Sequence, residues 1–283
     1  MKTTKRHIPY YIICAVMLAL VSCVKDDLHD TPHPDRGAVT VNAYFAEKAE
    51  DAAVPAEYTL TIGGNACTAT PGTDFCHPAL FAPGGYTLTA YNECDGMTAN
   101  GTTVTVNTLA DGTVESLPGY LFAQSREITV VADDTLRVSL PMVQRVRDLH
   151  LRLTVTEGDP ERIASLTGTL SGIAGAFDLT EQAVTGEVAS TRFAFTRDGD
   201  KVSADLRLFG TMGAAQTLTV EITFTDGRIQ TVESDLTEAL AGFNGGIETV
   251  TLAGDLLTPV EIGIGGSTIT PWEVVDGGNV SVN

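Results

Sequence analysis

The segment Leu149-His150-Leu151-Arg152-Leu153-Thr154-Val155-Thr156 alternates apolar and polar side chains along its whole length. Successive side chains of a β-strand point to opposite faces of a sheet, so this period of two predicts a strand with one buried and one solvated face. The same alternation recurs in residues 39–45, 86–90, 136–140, 202–208 and 218–224. The chain is therefore predicted to be all-β.

Turn signals separate the alternating segments. They are Asp95-Gly96, Asn100-Gly101, Asp111-Gly112, Asp198-Gly199 and Asp226-Gly227. An Asp or Asn followed by Gly readily adopts the positive φ values that tight hairpin turns require. Antiparallel sheets are therefore predicted, and a doubly wound sheet is disfavoured because no long helical segments lie between the strands.

Two short helices are predicted within this β pattern. Asp159-Pro160 can begin one helical turn. The segment from Asp235 to Glu238 resembles a capping box that leads to Leu240 and ends near Gly245. Neither candidate is long enough to form a helical layer against a sheet.

Residues 1–22 are predicted to be a secretion signal. Lys2, Lys5 and Arg6 form a basic start, and an apolar run follows from Ile8 to Val21. This run is shorter than the ~20 apolar residues that a membrane-spanning helix needs. We therefore expect it to be removed rather than to stay as a fold element.

The segment Leu20-Val21-Ser22-Cys23 resembles the lipobox of bacterial lipoproteins, in which the cysteine is acylated and becomes the new N-terminus. Several acyl chains hold a protein at a bilayer almost permanently, so Cys23 is the predicted anchor in the outer membrane. Lys25, Asp26 and Asp27 resemble the signal that sends Bacteroidetes lipoproteins to the cell surface, with an ordinary charged tether as the alternative. Residues 23–36 are thus predicted to be a lipidated tether.

The charge of the chain excludes several classes of partner. Removal of residues 1–22 takes three of the 17 Lys and Arg and no acidic residue, which leaves 14 basic residues against 36 acidic ones. Nucleic-acid binding and adhesion to anionic headgroups both need clustered Lys and Arg. We therefore predict no nucleic-acid partner, and the protein body need not touch lipid.

The length favours two β-sandwich domains in tandem. Cleavage after residue 22 of the 283 leaves 261 residues, which suits two domains of ~120 residues better than one sandwich. One set of strands ends at Pro141 and a strongly alternating strand begins at Asp148. The predicted domains are residues 37–145 and 146–283.

No cluster of residues in the sequence predicts catalysis, a metal site or a cofactor. The chain has no Gly-x-Ser-x-Gly nucleophile elbow, and Cys67, Cys76 and Cys94 lack the short spacing of a zinc site. One pair of these cysteines could form a disulfide in an oxidising compartment, but the sequence does not choose the pair. A peptidase or glycosidase and a glycan-binding lipoprotein of a nutrient-uptake system stay open as alternatives; Trp272 is the only tryptophan that could stack on a sugar.

The order of these features resembles the fimbrillin-like minor subunits of Bacteroidales, which are anchor and tip lipoproteins of fimbriae. The residues that carry the resemblance are Cys23 with Lys25-Asp26-Asp27, the stalk from Asp30 to Arg36, Gly37 to Val41, Leu166 to Ala174, Ile269 to Trp272 and Gly277 to Val282. The resemblance implies two transthyretin-like sandwiches and a structural role in fimbrial assembly, attachment and cell adhesion, with a host or bacterial surface as a candidate ligand.

The resemblance also implies that subunits join by β-strand addition, in which a partner strand pairs with a sheet edge. Major subunits are trimmed by an arginine-directed protease after their first strand. Here Arg36 precedes the first strand and the next basic residue is Lys48, so an untrimmed anchor or terminal subunit is predicted.

The end of the chain, residues 267–283, is the predicted donor strand. It alternates in polarity and follows the glycines at 263, 265 and 266, so it can reach a neighbouring subunit or fold back as an internal edge strand. The side chains predicted to contact a partner are Ile269, Trp272, Val274 and Val280.

Overall fold

The computed structural model describes residues 29–50, 52–260 and 265–275. Within these residues the chain is all-β, as predicted, and its only helical elements are two 3-10 turns, Pro160–Arg162 and Phe243–Gly245. The strands are β1 (Ala38–Tyr44), β2 (Tyr58–Ile62), β3 (Asn65–Ala69), β4 (Phe75–Cys76), β5 (Gly84–Tyr91), β6 (Met97–Asn100), β7 (Thr103–Val106), β8 (Phe122–Val130), β9 (Thr135–Pro141), β10 (Val143–Gln144), β11 (Arg147–Glu157), β12 (Ile163–Asp178), β13 (Ala183–Ala194), β14 (Thr196–Asp198), β15 (Lys201–Leu208), β16 (Thr217–Phe224), β17 (Ile229–Asp235), β18 (Val250–Leu257), β19 (Thr268–Ile269) and β20 (Glu273–Val275).

The alternating segments all form strands. In β11, Leu149, Leu151 and Leu153 are buried while the polar residues between them are half-buried. The glycines of the five turn dipeptides all have positive φ, between 59° and 86°. Local polarity and turn chemistry therefore predict the strands and their ends correctly.

The first half of the chain forms two sheets around one apolar cluster. One sheet has the order β4-β1-β9 and the other has the order β10-β8-β5-β2-β3. Strand β1 pairs antiparallel with β4 and parallel with β9, with Ala38 opposite Thr135 and Tyr44 opposite Pro141. Val39 and Val41 of β1 are fully buried in the cluster.

The second half has the same arrangement of its first strand. Strand β11 pairs antiparallel with β15 and parallel with β18, in the sheet order β14-β15-β11-β18-β19, and β20 also pairs with β18. The opposing sheet has the order β17-β16-β12-β7-β6, and β13 also pairs with β12. A second, larger apolar cluster fills the space between these sheets.

The hairpin β6–β7 crosses between the halves. It lies within residues 37–145, yet β7 pairs with β12 so that Thr105 is opposite Ala176. Val104 and Val106 belong to the larger apolar cluster of the second half. The alternation of residues 103–106 predicts a strand but does not specify which sheet the strand joins.

The predicted break near residue 145 is not an exposed linker. Val143–Gln144 is strand β10 and pairs with β8, while Gln144 and Val146 are fully buried. Arg145 donates its backbone N–H to the Leu121 carbonyl at 2.7 Å. Burial, with a smaller contribution from the nearby positive charge of Arg147, lowers the pKa of the Arg145 guanidinium to about 10.

The two helix predictions have different outcomes. Asp159 caps the 3-10 turn Pro160–Arg162 by accepting the Glu161 N–H, as expected. The segment from Asp235 begins with the predicted cap, because the Asp235 carboxylate accepts the backbone N–H and the hydroxyl of Thr237. It then continues as successive turns instead of one regular helix, with the Leu240 N–H donating to the Leu236 carbonyl at 2.9 Å and the 3-10 turn Phe243–Gly245 at its end.

Candidate partner-binding site

Five of the predicted functional residues lie outside the described residues. They are Cys23, Lys25, Asp26, Asp27 and Val280. The geometry below therefore concerns the rest of the tether, the edges of the sheets and the described part of the tail. No helix in the described ranges has the length and apolar character to cross a bilayer.

The described part of the tail runs along the outer edge of β18. Strand β19 pairs with it antiparallel, with Ile269 opposite Leu256, and β20 pairs with it antiparallel, with Val274 opposite Leu252. Between the two short strands, the Thr270 N–H donates to the Asp255 carbonyl at 3.0 Å. This is the internal edge-strand arrangement that the sequence left open beside donation.

The tail also contacts β17, which is the edge strand of the opposing sheet. Ser267 donates its backbone N–H to Gln230 Oε1 at 3.0 Å, and Gln230 Nε2 donates to the Gly265 carbonyl at 3.3 Å. Trp272 Nε1 donates to Ser234 Oγ at 2.8 Å. The tail therefore closes the seam between two sheet edges, a role for Gln230 and Ser234 that the sequence did not indicate.

The three described contact residues divide into two groups. Ile269 and Trp272 are half-buried against the larger apolar cluster. Val274 is 56% exposed, and with Val275 it lines a groove of about 600 Å³ beside residues 48–50 and 247–250. Trp272 is half-buried against the cluster and its indole N–H is hydrogen-bonded, so it is not the fully exposed aromatic platform that the glycan-binding alternative favours.

The corresponding edge of the first half belongs to β9. Ala38 N donates to the Asp134 carbonyl and Met142 N donates to the Tyr44 carbonyl. Because alternate residues of a strand bond to opposite sides, residues 135, 137, 139 and 141 direct their backbone groups away from β1. No strand in the described part of the chain pairs with this outer edge.

Side chains block much of the outer edge of β9. The Asp134 carboxylate accepts the Thr135 N–H at 2.7 Å, and Arg126 Nη1 donates to the Ser139 carbonyl at 3.3 Å. Pro141 has no N–H to offer. Charged side chains and proline are the usual protection of an exposed edge against unwanted pairing, so β9 is a poor acceptor for a partner strand.

The described part of the tether is not a free stalk. Asp133, in the turn between β8 and β9, accepts the N–H of Asp30 at 2.8 Å and the N–H and hydroxyl of Thr31 at 2.7 and 2.9 Å. The Asp133 N–H donates back to the Arg36 carbonyl at 3.0 Å. The hydrogen bond from the Asp30 N–H is the largest of the contributions that lower the Asp133 pKa below its ordinary value.

The three cysteines of the folded body are unpaired. Cys76 is exposed, and Cys67 and Cys94 are half-buried. Burial raises the pKa of the Cys94 thiol to about 11, so this thiol stays protonated and unreactive at neutral pH. Within the described ranges, His, Cys, Asp and Glu side chains form no group of three or more that could hold a metal ion.

Three solved structures with this fold come from fimbrial or adhesin proteins. The fimbrial anchor protein Mfa2 of Porphyromonas gingivalis matches with a TM-score of 0.61 and 14% identity over 84% of this chain and 97% of its own. A candidate adhesin of Bacteroides ovatus matches with a TM-score of 0.62 and 14% identity over 78% of this chain and 89% of its own. Another candidate adhesin, from Bacteroides thetaiotaomicron, matches with a TM-score of 0.57 and 14% identity over 86% of this chain and 98% of its own. These likenesses show the fold.

A family model supplies the relationship at the level of sequence. The model for the fimbrillin-A associated anchor proteins Mfa1 and Mfa2 matches residues 48–277, which is most of the chain. A comparison with curated proteins returns no match. The matched family consists of structural fimbrial proteins, which confirms the prediction that this chain is not an enzyme. The chain belongs to the family of fimbrillin-A associated anchor proteins.

Proposed function

We propose that the chain is a surface lipoprotein that serves as a terminal subunit, anchor or tip, of a fimbrium. The observation that carries the proposal is the tail, two short strands that cover one sheet edge within a fimbrial anchor fold. Cys23 holds the protein in the outer membrane, and Lys25, Asp26 and Asp27 direct it to the cell surface. Other fimbrial subunits are its partners.

In this proposal the tail leaves the edge of β18 and pairs instead with a sheet edge of a partner subunit. Its pairing with β18 is thin, because β19 has two residues and β20 has three, with Pro271 between them. Gly265, with φ of 91°, lies just before β19 and suits a change of chain direction. Release of the tail would free Ile269, Trp272 and Val274 to enter a partner's groove by strand addition.

The first strand supports a terminal position. Strand β1 lies between β4 and β9, and its Val39 and Val41 are fully buried. A shaft subunit of the implied assembly accepts a strand in the first sandwich after trimming. With β1 kept in place, this chain offers no such opening and is suited to the end of a filament.

We also propose that the two apolar clusters correspond to two transthyretin-like domains, residues 37–145 and 146–283. Strands β1 and β11 have the same neighbours in their sheets, one antiparallel and one parallel, which supports an internal repeat. The hairpin β6–β7 then reaches from the first domain onto the second. Because the junction is buried, limited proteolysis should cut loops before it cuts residues 143–147.

Membrane attachment is tested by replacing the acylated residue. The Cys23→Ala variant should leave the membrane fraction, because only the acyl chains hold the protein there. Retention after a carbonate wash would contradict the lipid anchor. In a separate variant, replacement of Lys25, Asp26 and Asp27 by Ala should keep the lipid but reduce cleavage by protease added outside the cell.

Tail donation is tested by two truncations of different length. Removal of residues 267–283 should leave a folded protein but release fimbriae from the cell or prevent their growth. Removal of residues 276–283 alone keeps β19 and β20 and is the matched control for the described tail. Normal fimbriae with the longer truncation, together with a lower melting temperature, would assign the tail to the second half as a permanent strand.

A further inference from the structure

Residues 29–36 fold onto the turn between β8 and β9 and are held at both ends. At the first end, one oxygen of Asp133 accepts the Thr31 N–H and hydroxyl while the other accepts the Asp30 N–H. At the second end, the Arg36 carbonyl accepts the Asp133 N–H at 3.0 Å and is 3.0 Å from His33 Nδ1. One residue of the turn therefore holds both ends of the segment.

The chemistry of Asp133 suits this position. Two successive backbone N–H groups converge on its carboxylate, an arrangement that favours a negative charge, and such charge-assisted bonds are stronger than neutral ones. Asp133 has φ of 55°, a left-handed conformation that Asp and Asn adopt more easily than other residues with a side chain. Both the side chain and the backbone of this residue thus shape the contact.

The chain beyond Arg36 is equally fixed. Gly37 and Phe81 exchange two backbone hydrogen bonds of 2.9 Å, and Arg36 Nη1 donates to the Leu80 carbonyl at 3.3 Å. A Cβ atom at residue 37 would lie 2.4 Å from the Val131 carbonyl oxygen, so the chain passes directly against the turn. Hydrogen bonds therefore hold the described segment as far as the start of β1.

We propose that Asp133 is the positioning residue of the membrane anchor, and that it fixes the β8–β9 turn as the membrane-facing end of the molecule. This inference rests on the proposed acylation of Cys23. Five residues lie between Cys23 and His29, so the two Cα atoms are six steps of chain apart and at most about 20 Å from each other. With residues 29–36 held on the turn, the body stands within that distance of the bilayer and always presents the same end to it.

The contact of residues 29–36 with Asp133, called the clamp below, is tested first by hydrogen exchange of the full-length protein. Asp133→Asn keeps the left-handed turn but removes the charge and one acceptor oxygen, so the Asp30 and Thr31 amides should exchange about tenfold faster. Asp134→Asn is the matched control, because the Asp134 side chain accepts only the Thr135 N–H, and it should leave these amides unchanged. Equal exchange in wild type and Asp133→Asn would overturn the clamp.

Orientation is tested in phospholipid vesicles that carry a photoreactive headgroup. In the wild type, labelling should concentrate on residues 80–82 and 131–134, and in Asp133→Asn it should spread several-fold over other surfaces while the melting temperature stays unchanged. The same labelling pattern in both proteins would overturn the positioning role. If the wild type fails to attach to vesicles, the lipid anchor is wrong and with it the membrane-facing end, while the exchange experiment still decides the clamp.

Discussion

The strands β9 and β18 occupy the same place in their halves but end their sheets differently. Each pairs in parallel with the first strand of its half, β1 or β11. The outer edge of β18 is covered by residues 268–275 of the same chain. The outer edge of β9 carries no strand in the described residues and is blocked by Asp134, Arg126 and Pro141 instead.

The two edges are thus protected in different ways, β18 by a paired strand and β9 by side chains. A covering strand keeps the hydrogen-bonding groups of an edge intact, so another strand can take its place. Side chains that fill those groups, or a proline that lacks one, remove the edge as a template. In the proposed assembly, strand exchange therefore belongs to the second half, whereas residues 29–36 bind to the first half.

The largest loss of stability is expected where the tail that covers β18 packs against the larger apolar cluster. Trp272→Ala removes a half-buried ring and the bond to Ser234, so the free energy of unfolding should fall by about 2 kcal/mol, less than for a core tryptophan. Ser234→Ala removes only the hydrogen bond and should cost about 1 kcal/mol. Urea denaturation measures both. Equal losses in the two variants would mean that the ring contributes no packing.

Adding one methyl group should have a comparable effect at residue 37 and almost none in β18. Gly37→Ala places a Cβ 2.3 Å from Val130 Cγ1 and should destabilise the protein by about 1–3 kcal/mol. Gly254→Ala, in β18, places its Cβ 3.5 Å from the Trp272 ring, which is ordinary contact, and should stay within about 0.5 kcal/mol of wild type. Similar melting temperatures for the two variants would contradict the tight approach at residue 37.

Low pH should release the tether, residues 29–36, while the tail stays in place. The pKa of Asp133 is lowered, so its bonds are fully present above the ordinary value of 3.8 and are lost as the pH falls through the lowered pKa. The charged and titratable groups near this carboxylate are His29, at 3.7 Å, and Asp30, His33, Arg36 and Asp134.

The tail contacts through Gln230, Ser234 and the Asp255 carbonyl involve no carboxylate. Hydrogen exchange followed as the pH is lowered stepwise from 3.8, corrected for intrinsic rates, should therefore show residues 29–36 losing protection before residues 267–275. Simultaneous release of both segments would mean that acid opens the fold as a whole and would remove this contrast.

A small effect on stability is expected from unblocking β9. Each of the changes Arg126→Ala, Asp134→Ala and Pro141→Val, combined in one variant, should alter the free energy of unfolding by no more than about 0.5 kcal/mol. It should nevertheless gain a dimer that increases with concentration in sedimentation experiments, because the edge becomes open to pairing. A variant that stays monomeric at all concentrations would show that β9 is protected by its surroundings rather than by these three residues.

The sequence by itself determined the strands, the turns and the family. Alternation around Leu149 to Val155 specifies which side chains are buried, and Asp-Gly and Asn-Gly pairs specify where the chain reverses, because both signals depend only on neighbours in sequence. The segment from Asp235 shows where such local signals stop: Asp235 caps Thr237 as the sequence predicts, yet the residues that follow form turns and a 3-10 turn instead of one regular helix.

Only the tertiary structure decided which strands are neighbours. The parallel pairing of β1 with β9, the move of β6 and β7 onto β12, the tail on β18 and the tether on Asp133 all join residues far apart in sequence. A period of two records that one face of a strand is buried, but it carries no information about the partner at either edge. That choice depends on how the two apolar clusters pack, which is a property of the whole chain.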